Sequence, residues 1–223
     1  EPAFDPDPHV AMASLAARHA ISRDAQEAYA LQSHQNALDA HDHLTHEIVE
    51  IAGINRDPYA RKLCSNVMAK APVLAGTVTA ATAAAAADGA AFVVVVADDF
   101  KTNVLRSLSI GPAQTIGSAP EDPALAPIPA IKGVLSKHGK TIDRVEMMEA
   151  YAVQSMACID GAGLDVHTVN RCGGALARGH PIGASGAILA VRLFHDLQPV
   201  QSGLAAIAAV GGLGSAVIFE RQV

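Results

Sequence analysis

The stretch Asn170–Gly186, NRCGGALARGHPIGASG, concentrates the residues best suited to chemistry. It holds His180 among five glycines and Pro181. Glycine at this density lets the backbone take positive φ and approach a ligand closely. A helix starting just after Gly183 would aim its free N–H groups at the same space. A histidine there can move a proton or donate to an oxyanion. Three cysteines, Cys64, Cys158 and Cys172, are the candidate sulfur nucleophiles. Their number is odd and their spacing wide, so neither a zinc ribbon nor a disulfide framework is indicated. Cys172 lies near His180 in sequence and could pair with it. His43 and His46 are one helical turn apart and could share a metal, with His41 pointing elsewhere. Both ideas are weaker than plain alternatives: a packing cysteine and a solvated polar segment. No metal is expected, and Met147, Met148 and Met156 read as packing.

These residues need a scaffold, and the pattern along the chain supplies one. The opening EPAFDPDPHV reads as loop, and its first residue, Glu1, suggests a piece of something longer or a processed product. Ser22 can cap a helix with Asp24 in its first turn, running to about His43 with Ala25, Ala28, Tyr29, Leu31 and Leu38 near one face. EIVEI at 47–51 reads as a short strand, followed by irregular chain to residue 75. The run Phe92–Ala97 reads as a strand buried on both faces, because Val93–Val96 are β-branched and uniformly apolar. The proline-rich stretch 110–127 reads as a linker or extended crossing. IKGVLSKHG reads as a helix stopped at Gly139. RVEMMEAYAVQSMACIDGAG reads as a strand running into a helix. A second apolar helix starts near Ala184, and LAAIAAVGGLGSAVIFERQV closes the chain as a β-hairpin. Strands alternating with helices give an α/β class.

Composition narrows the partners. Half of the 223 residues are hydrophobic and 17% are charged, as in a well-buried globular protein. A net charge of −6 with no basic block argues against nucleic acid. The apolar stretch around Ala90–Ala97 is too short to span a bilayer. No secretory signal opens the chain, and with its cysteine usage this suits a reducing cytoplasm.

The glycine-rich stretch as a whole resembles the signature of the thiolase family, NxxGGAxAxGHPxGASG. Other segments look like that family too. SRDAQEAYALQSHQNALDA resembles the first helix of its loop domain, and GTVTA with DGAA (76–91) the return to its core. PIPAIKGVLSKHGKTIDRVEMMEAYA resembles the lead-in to its second catalytic loop, and LAAIAAVGGLGSAVIFE its terminal hairpin. The likeness covers nearly the whole chain, without a counterpart of the first half of the family's N-terminal domain.

The resemblance implies a layered α/β/α fold with a mixed five-stranded sheet and a helical loop domain. Residues 1–75 would be the loop domain, 76–105 the last strand region of the N-terminal half, and 106–223 the C-terminal half. It implies carbon–carbon bond making or breaking between acyl-CoA thioesters, with coenzyme A thioester as substrate, no covalently bound cofactor, and a homo-oligomer. His180 and Glu149 would be catalytic. Ala80, Ala84, Ala150, Tyr151, Gly179 and Gly183 would line the CoA-thioester site.

Several positions depart from the family. Its nucleophilic cysteine belongs to the absent segment. Its second, acid/base cysteine falls at Ala208, or at Ala209 with a one-residue slip, and neither carries a proton. Its Asn-Glu-Ala-Phe loop reads Met148-Glu149-Ala150-Tyr151, and Met148 cannot donate to an oxyanion water. Losing one such donor typically costs roughly 10²–10³ in rate. Its Gly-Asn-x-Ser-Gly turn reads Ala81–Ala85, so Ala84 lacks a CoA-contacting hydroxyl. Two functions are therefore expected to compete. One is a thiolase-type acyltransferase whose nucleophile sits in another segment. The other is an inactive CoA-thioester-binding or scaffold protein. An apolar strand at 90–97 without neighbours would be costly. A missing N-terminal half or a partner subunit should therefore lie beside it, and a bare exposed strand would count against that.

Overall fold

The computed structural model describes residues 7–103 and 106–222. Of the expected opening loop, residues 1–6 lie outside the described residues, and from Pro8 the chain is helical. The Asp7 carboxylate accepts from the N–H groups of His9 and Val10 and opens α1 (Pro8–Arg18), and Pro8 brings its φ preset for a first helical turn. Ser22 caps α2 (Arg23–Asp39) by accepting from the Ala25 N–H, and the short α3 (His41–Leu44) follows. The buried side of α2 is Gln26, Glu27, Ala30, Ser33, His34 and Ala37. The expected face is thus displaced: Ala28 is exposed and Ala25, Leu31 and Leu38 are only partly covered. The inward stripe is largely polar because it meets a carboxylate and a glycine loop rather than an oily sheet.

The expected strand at 47–51 does not form. That segment is irregular, with a single bridge between Ile51 and Ile54. After it come α4 (Ser65–Met68) and a small antiparallel pair, β1 (Val73–Ala75) and β2 (Val78–Thr79). The expected strand at 92–97 is also absent. Phe92–Val96 carry no strand pairing and stand open to solvent, with Phe92 88% and Val94 87% exposed. A strand needs a neighbour for its N–H and C=O groups. Among the described residues none runs beside it, so the run stands bare and exposed, the outcome that counts against a completing segment lying there.

The proline-rich stretch is not a linker. It supplies β3 (Ser109–Gly117), the edge strand of the sheet, with Pro112 inside a register break between Ile110 and Ala113. An edge with a bulge is where a strand tolerates proline. Pro127 then opens α5 (Pro127–His138), which Gly139 ends in the left-handed conformation at φ 67°. β4 (Arg144–Met147) leads to α6 (Ala152–Ala162), the one-turn α7 (Ala175–Arg178) and α8 (Ser185–Asp196). The chain closes as expected in the antiparallel hairpin β5 (Ser202–Ala209) and β6 (Leu213–Glu220), turned at Gly211–Gly212.

The main sheet has the order β3-β6-β5-β4, antiparallel except for the parallel β4–β5 pair. It is four-stranded rather than five-stranded. At the β4 edge a fifth position is reduced to one parallel bridge, Val145 to Val169. The two-residue period of strands divides the sheet into faces. Leu204, Ala206, Ala216 and Ile218 pack under α5 and α6 with Ile131, Val134 and Cys158. Ala205, Ile207, Val217 and Phe219 face Leu189 and Leu193 of α8. The result is three layers, α/β/α. No helix among the described residues is long and apolar enough to cross a membrane.

Beneath α8 lies a cluster of buried charge. Arg192 pairs with Glu47 at 2.8 Å, both nearly sealed from solvent. Glu146 on β4 is buried with one carboxylate oxygen unpartnered. Burial raises its pKa to about 7, against the opposing pull of Arg192 and Arg178. Its folded pKa is above the unfolded value, so the native state holds the proton more tightly. The resulting cost is absent at acidic pH, grows as pH rises from about 4.5 to 7, and is complete above that. Glu146→Gln is therefore expected to stabilise the fold by about 1–3 kcal/mol at pH 8 and by little at pH 4.5. Urea unfolding at the two pH values reads this, and equal effects at both would contradict it.

Candidate active site

Glu149 lies just beyond β4, nearly sealed from solvent. Its Oε1 accepts from the Asn170 amide at 2.7 Å and the Tyr29 hydroxyl at 3.2 Å. Its Oε2 accepts from the Ser33 hydroxyl at 2.7 Å and the Leu176 N–H at 3.2 Å. One carboxylate thus ties α2 to the glycine-rich loop and to β4. The loop can lie this close only because residue 174 is glycine. A Cβ there would sit 2.2 Å from the Glu149 carboxyl carbon. Asn170 continues the tie: its side chain brackets the Met147 backbone, accepting from N–H at 2.8 Å and donating to C=O at 2.9 Å. With both oxygens engaged, Glu149 is placed to anchor the site rather than to exchange protons in it.

His180 follows α7 in extended chain. Its N–H donates to Ala85 C=O at 2.8 Å, and a parallel bridge joins it to Ala86. The imidazole is half-buried. Nδ1 lies 2.7 Å from the Ser185 hydroxyl. Ser185 gives its only proton to Pro181 C=O at 3.2 Å, so it accepts from Nδ1–H. That assignment leaves Nε2 as the free, basic nitrogen. Burial, helped by the positive charge of Arg178, lowers the imidazole pKa below its usual value. Neutral His180 is therefore the resting form, with a lone pair on Nε2. The start of α8 contributes less than expected, since the N–H groups of Ala184 and Ser185 both go to Pro181 C=O.

The alanine-rich segment after β2 straps these parts together. Ala84 N–H donates to Ala150 C=O, Ala152 N–H donates to Thr82 C=O, and Ala83 bridges Tyr151. So Ala84, Ala150, Tyr151, Gly179 and His180 are brought to one place. Gly183 has open space where a side chain would stand. Ala80 is set apart, exposed, its N–H on Pro72 C=O. The Tyr151 hydroxyl turns toward α1, 2.9 Å from His9 Nδ1. Met148 faces away: it is buried with Ala175, Leu189, Leu193 and Leu197 beneath α8. Ala208, the penultimate residue of β5, pairs with Gly214, partly covered, with no proton to give.

Among the described residues His41, His43 and His46 do not converge. His43 instead approaches Cys172 and Asp196, their ligand atoms within 4.8 Å of one another. Burial pushes the Cys172 thiol up to about 11, far from a ready thiolate. Ser185, Asn170 and Ser33 carry much of this geometry. The first two stand inside the motif and could have been suspected from it; nothing in the sequence around Ser33 marks it.

Two family models match the chain, thiolase N-terminal domain over residues 9–99 and thiolase C-terminal domain over residues 106–221. A putative acetyl-CoA C-acetyltransferase (YhfS) of Bacillus subtilis is 38% identical, with 97% of this chain aligned to 64% of that protein. The crystal structure of human mitochondrial 3-ketoacyl-CoA thiolase in complex with CoA superimposes with a TM-score of 0.84 at 29% identity, covering 96% of this chain and 58% of that one. The dimeric peroxisomal thiolase of Saccharomyces cerevisiae gives 0.83 at 27% identity, covering 97% and 59%. The chain therefore spans about three fifths of the length of these relatives.

Proposed function

The chain belongs to the thiolase family, and from that premise we propose that it is the larger part of an acyltransferase acting on acyl-CoA and 3-ketoacyl-CoA. The nucleophilic cysteine is supplied by a segment outside residues 1–223. The observation carrying this reading is the His180 imidazole, held through Nδ1 by Ser185 with Nε2 free at the strapped glycine loop. A neutral Nε2 can take the proton of a cysteine thiol. The thiolate then attacks the 3-keto carbonyl, and the new imidazolium donates to the oxygen that gathers charge. Cleavage of the carbon–carbon bond leaves the acyl group on sulfur, and the imidazolium gives its proton to the α-carbon of the departing enolate, which leaves as acetyl-CoA. A CoA thiol then takes the acyl group and returns the proton to the site. His180 and Glu149 are the residues assigned here, His180 as the proton-transfer group and Glu149 as the anchor that positions the loops.

The exposed run Phe92–Val96 is a continuous apolar stretch, an association hazard in this chain by itself. Assembly as a homo-oligomer is supported by the dimeric yeast relative, and a cytoplasmic site of action by the cysteine usage.

A second reading is favoured by Met148, Ala84 and Ala208, which offer no polar group where the reaction would use one. In it the protein binds CoA thioesters without turning them over. Thiolysis of acetoacetyl-CoA by the full-length protein decides between them. CoA-dependent cleavage is expected. Binding of the thioester with no cleavage would replace the acyltransferase reading by the second.

A further inference from the structure

Among the described residues Arg178 has the most buried polar atoms without a hydrogen-bond partner. It is 8% exposed. Its Nε and both terminal nitrogens are buried without a hydrogen-bond partner. Among the described residues no carboxylate forms an ion pair with it. Glu47, the acid nearby in the charge cluster, is taken by Arg192 at 2.8 Å. The carboxylates of Glu146, Glu149 and Asp57 act on Arg178 only through space, and burial together with Arg192 lowers its pKa to about 10. A buried guanidinium with five idle donors calls for an acceptor.

The structure provides room for one. Arg178 lines a cavity of about 220 Å3 between the end of α2, α3 and the segment 55–60, its nitrogens sealed behind the wall and reaching a ligand there by a turn of the side chain. That is the share of about seven liquid waters, enough for a small organic anion. Arg56 and Asp57 also line it, and Leu38, Leu44 and Ile48 supply apolar wall. Two arginines and one aspartate line the cavity itself, with Glu47, Glu146 and Glu149 close behind Arg178. These carboxylates repel a dianion more strongly than a monoanion, so a single negative charge fits better. A guanidinium fork fits a planar carboxylate in bidentate fashion. The apolar wall fits a short carbon chain behind it.

We propose that this cavity is a binding site for the carboxylate of a short-chain acid, held on the Arg178 guanidinium with its carbon chain against Leu38, Leu44 and Ile48. The carboxylate is either that of a free acid or the terminal group of an acyl thioester. The site is separate from the His180 nitrogen that the proposed reaction uses, and its occupancy is readable without any turnover.

The test is thermal unfolding of the full-length protein at constant ionic strength, titrated with butyrate, inorganic phosphate, acetyl-CoA and succinyl-CoA. A saturable rise in midpoint with butyrate, larger than with phosphate, is expected for a free-acid site. A larger rise with succinyl-CoA than with acetyl-CoA, without a butyrate effect, assigns the carboxylate to the acyl group. In either case Arg178→Met should weaken the effective ligand about tenfold or more. Arg178→Lys, which keeps the charge and loses the fork, should weaken it less. No saturable response to any carboxylate, a response to phosphate at least as large, or a response unchanged in both variants overturns the proposal. Should Arg178→Met fail to fold, the wild-type titrations and Arg178→Lys decide between these outcomes.

Discussion

Replacing Glu149 by alanine is expected to destabilise the fold by about 3–5 kcal/mol, the range for breaking a buried hydrogen-bond network around a charge. Four donors from two regions of the chain converge on this carboxylate. Its removal strands the Ser33 and Tyr29 hydroxyls, the Asn170 amide and the Leu176 N–H in a site without water access. For a chain of this size each kcal/mol moves the thermal midpoint by roughly 2–4 °C, so a fall on the order of 10 °C is expected. Glu149→Gln is the sharper probe. All four partners are donors, and only a carboxylate accepts on both sides. Whichever oxygen the amide nitrogen replaces, a donor then faces donors, at a cost of about 2–3 kcal/mol. Urea unfolding of both variants reads these values. A glutamine variant within about 0.5 kcal/mol of the parent would mean that the carboxylate is not the anchor described here.

His180→Asn is expected to behave in the opposite way. The side chain is half-buried and makes one side-chain hydrogen bond, to Ser185, so unfolding should change by no more than about 1 kcal/mol. In the full-length protein kcat/KM for thiolysis should fall by about 10²–10⁴, the span for losing a positioned proton-transfer group. The pH profile carries independent information. The imidazole pKa is lowered by burial and by Arg178, and the base must be neutral to accept the thiol proton. The acid limb of kcat/KM should therefore lie below the usual histidine value near 6.5, activity being lost only as pH falls through the depressed pKa. Ser185→Ala, which frees the ring to adopt the other tautomer, should lower the rate while leaving unfolding nearly unchanged. An acid limb at or above 6.5 would argue against His180 as the base.

Much of the fold is legible along the chain because local chemistry and tertiary context agree. Ser22, Gly139 and the Gly211–Gly212 turn place element ends through the conformations that those residues favour, and their neighbours do not alter the outcome. The alternation in β5 and β6 matches two covered faces, so the hairpin needs no further information. The misreadings occur where the two levels conflict. Pro112 argues for a linker, yet it fits a bulge on an edge strand. Val93–Val96 have strand propensity, but a ladder needs a partner. The apolar residues of α2 indicate one face, while the buried face is polar, because Ser33 and Gln26 meet hydrogen-bonding groups rather than oil.

The same division runs through the site. By itself the sequence determined the glycine-rich loop, His180 within it and the apolar side chains at Met148, Ala84 and Ala208, since these are matters of residue type and short spacing. Only the tertiary structure decided what the residues do to one another. It turned Met148 into the core and spent Glu149 as an anchor across more than a hundred residues to Ser33. It gave His180 its tautomer through Ser185 and left Arg178 buried beside an open cavity. Contacts between distant segments depend on how layers stack and which donors meet which acceptors, and no local pattern of residues encodes that.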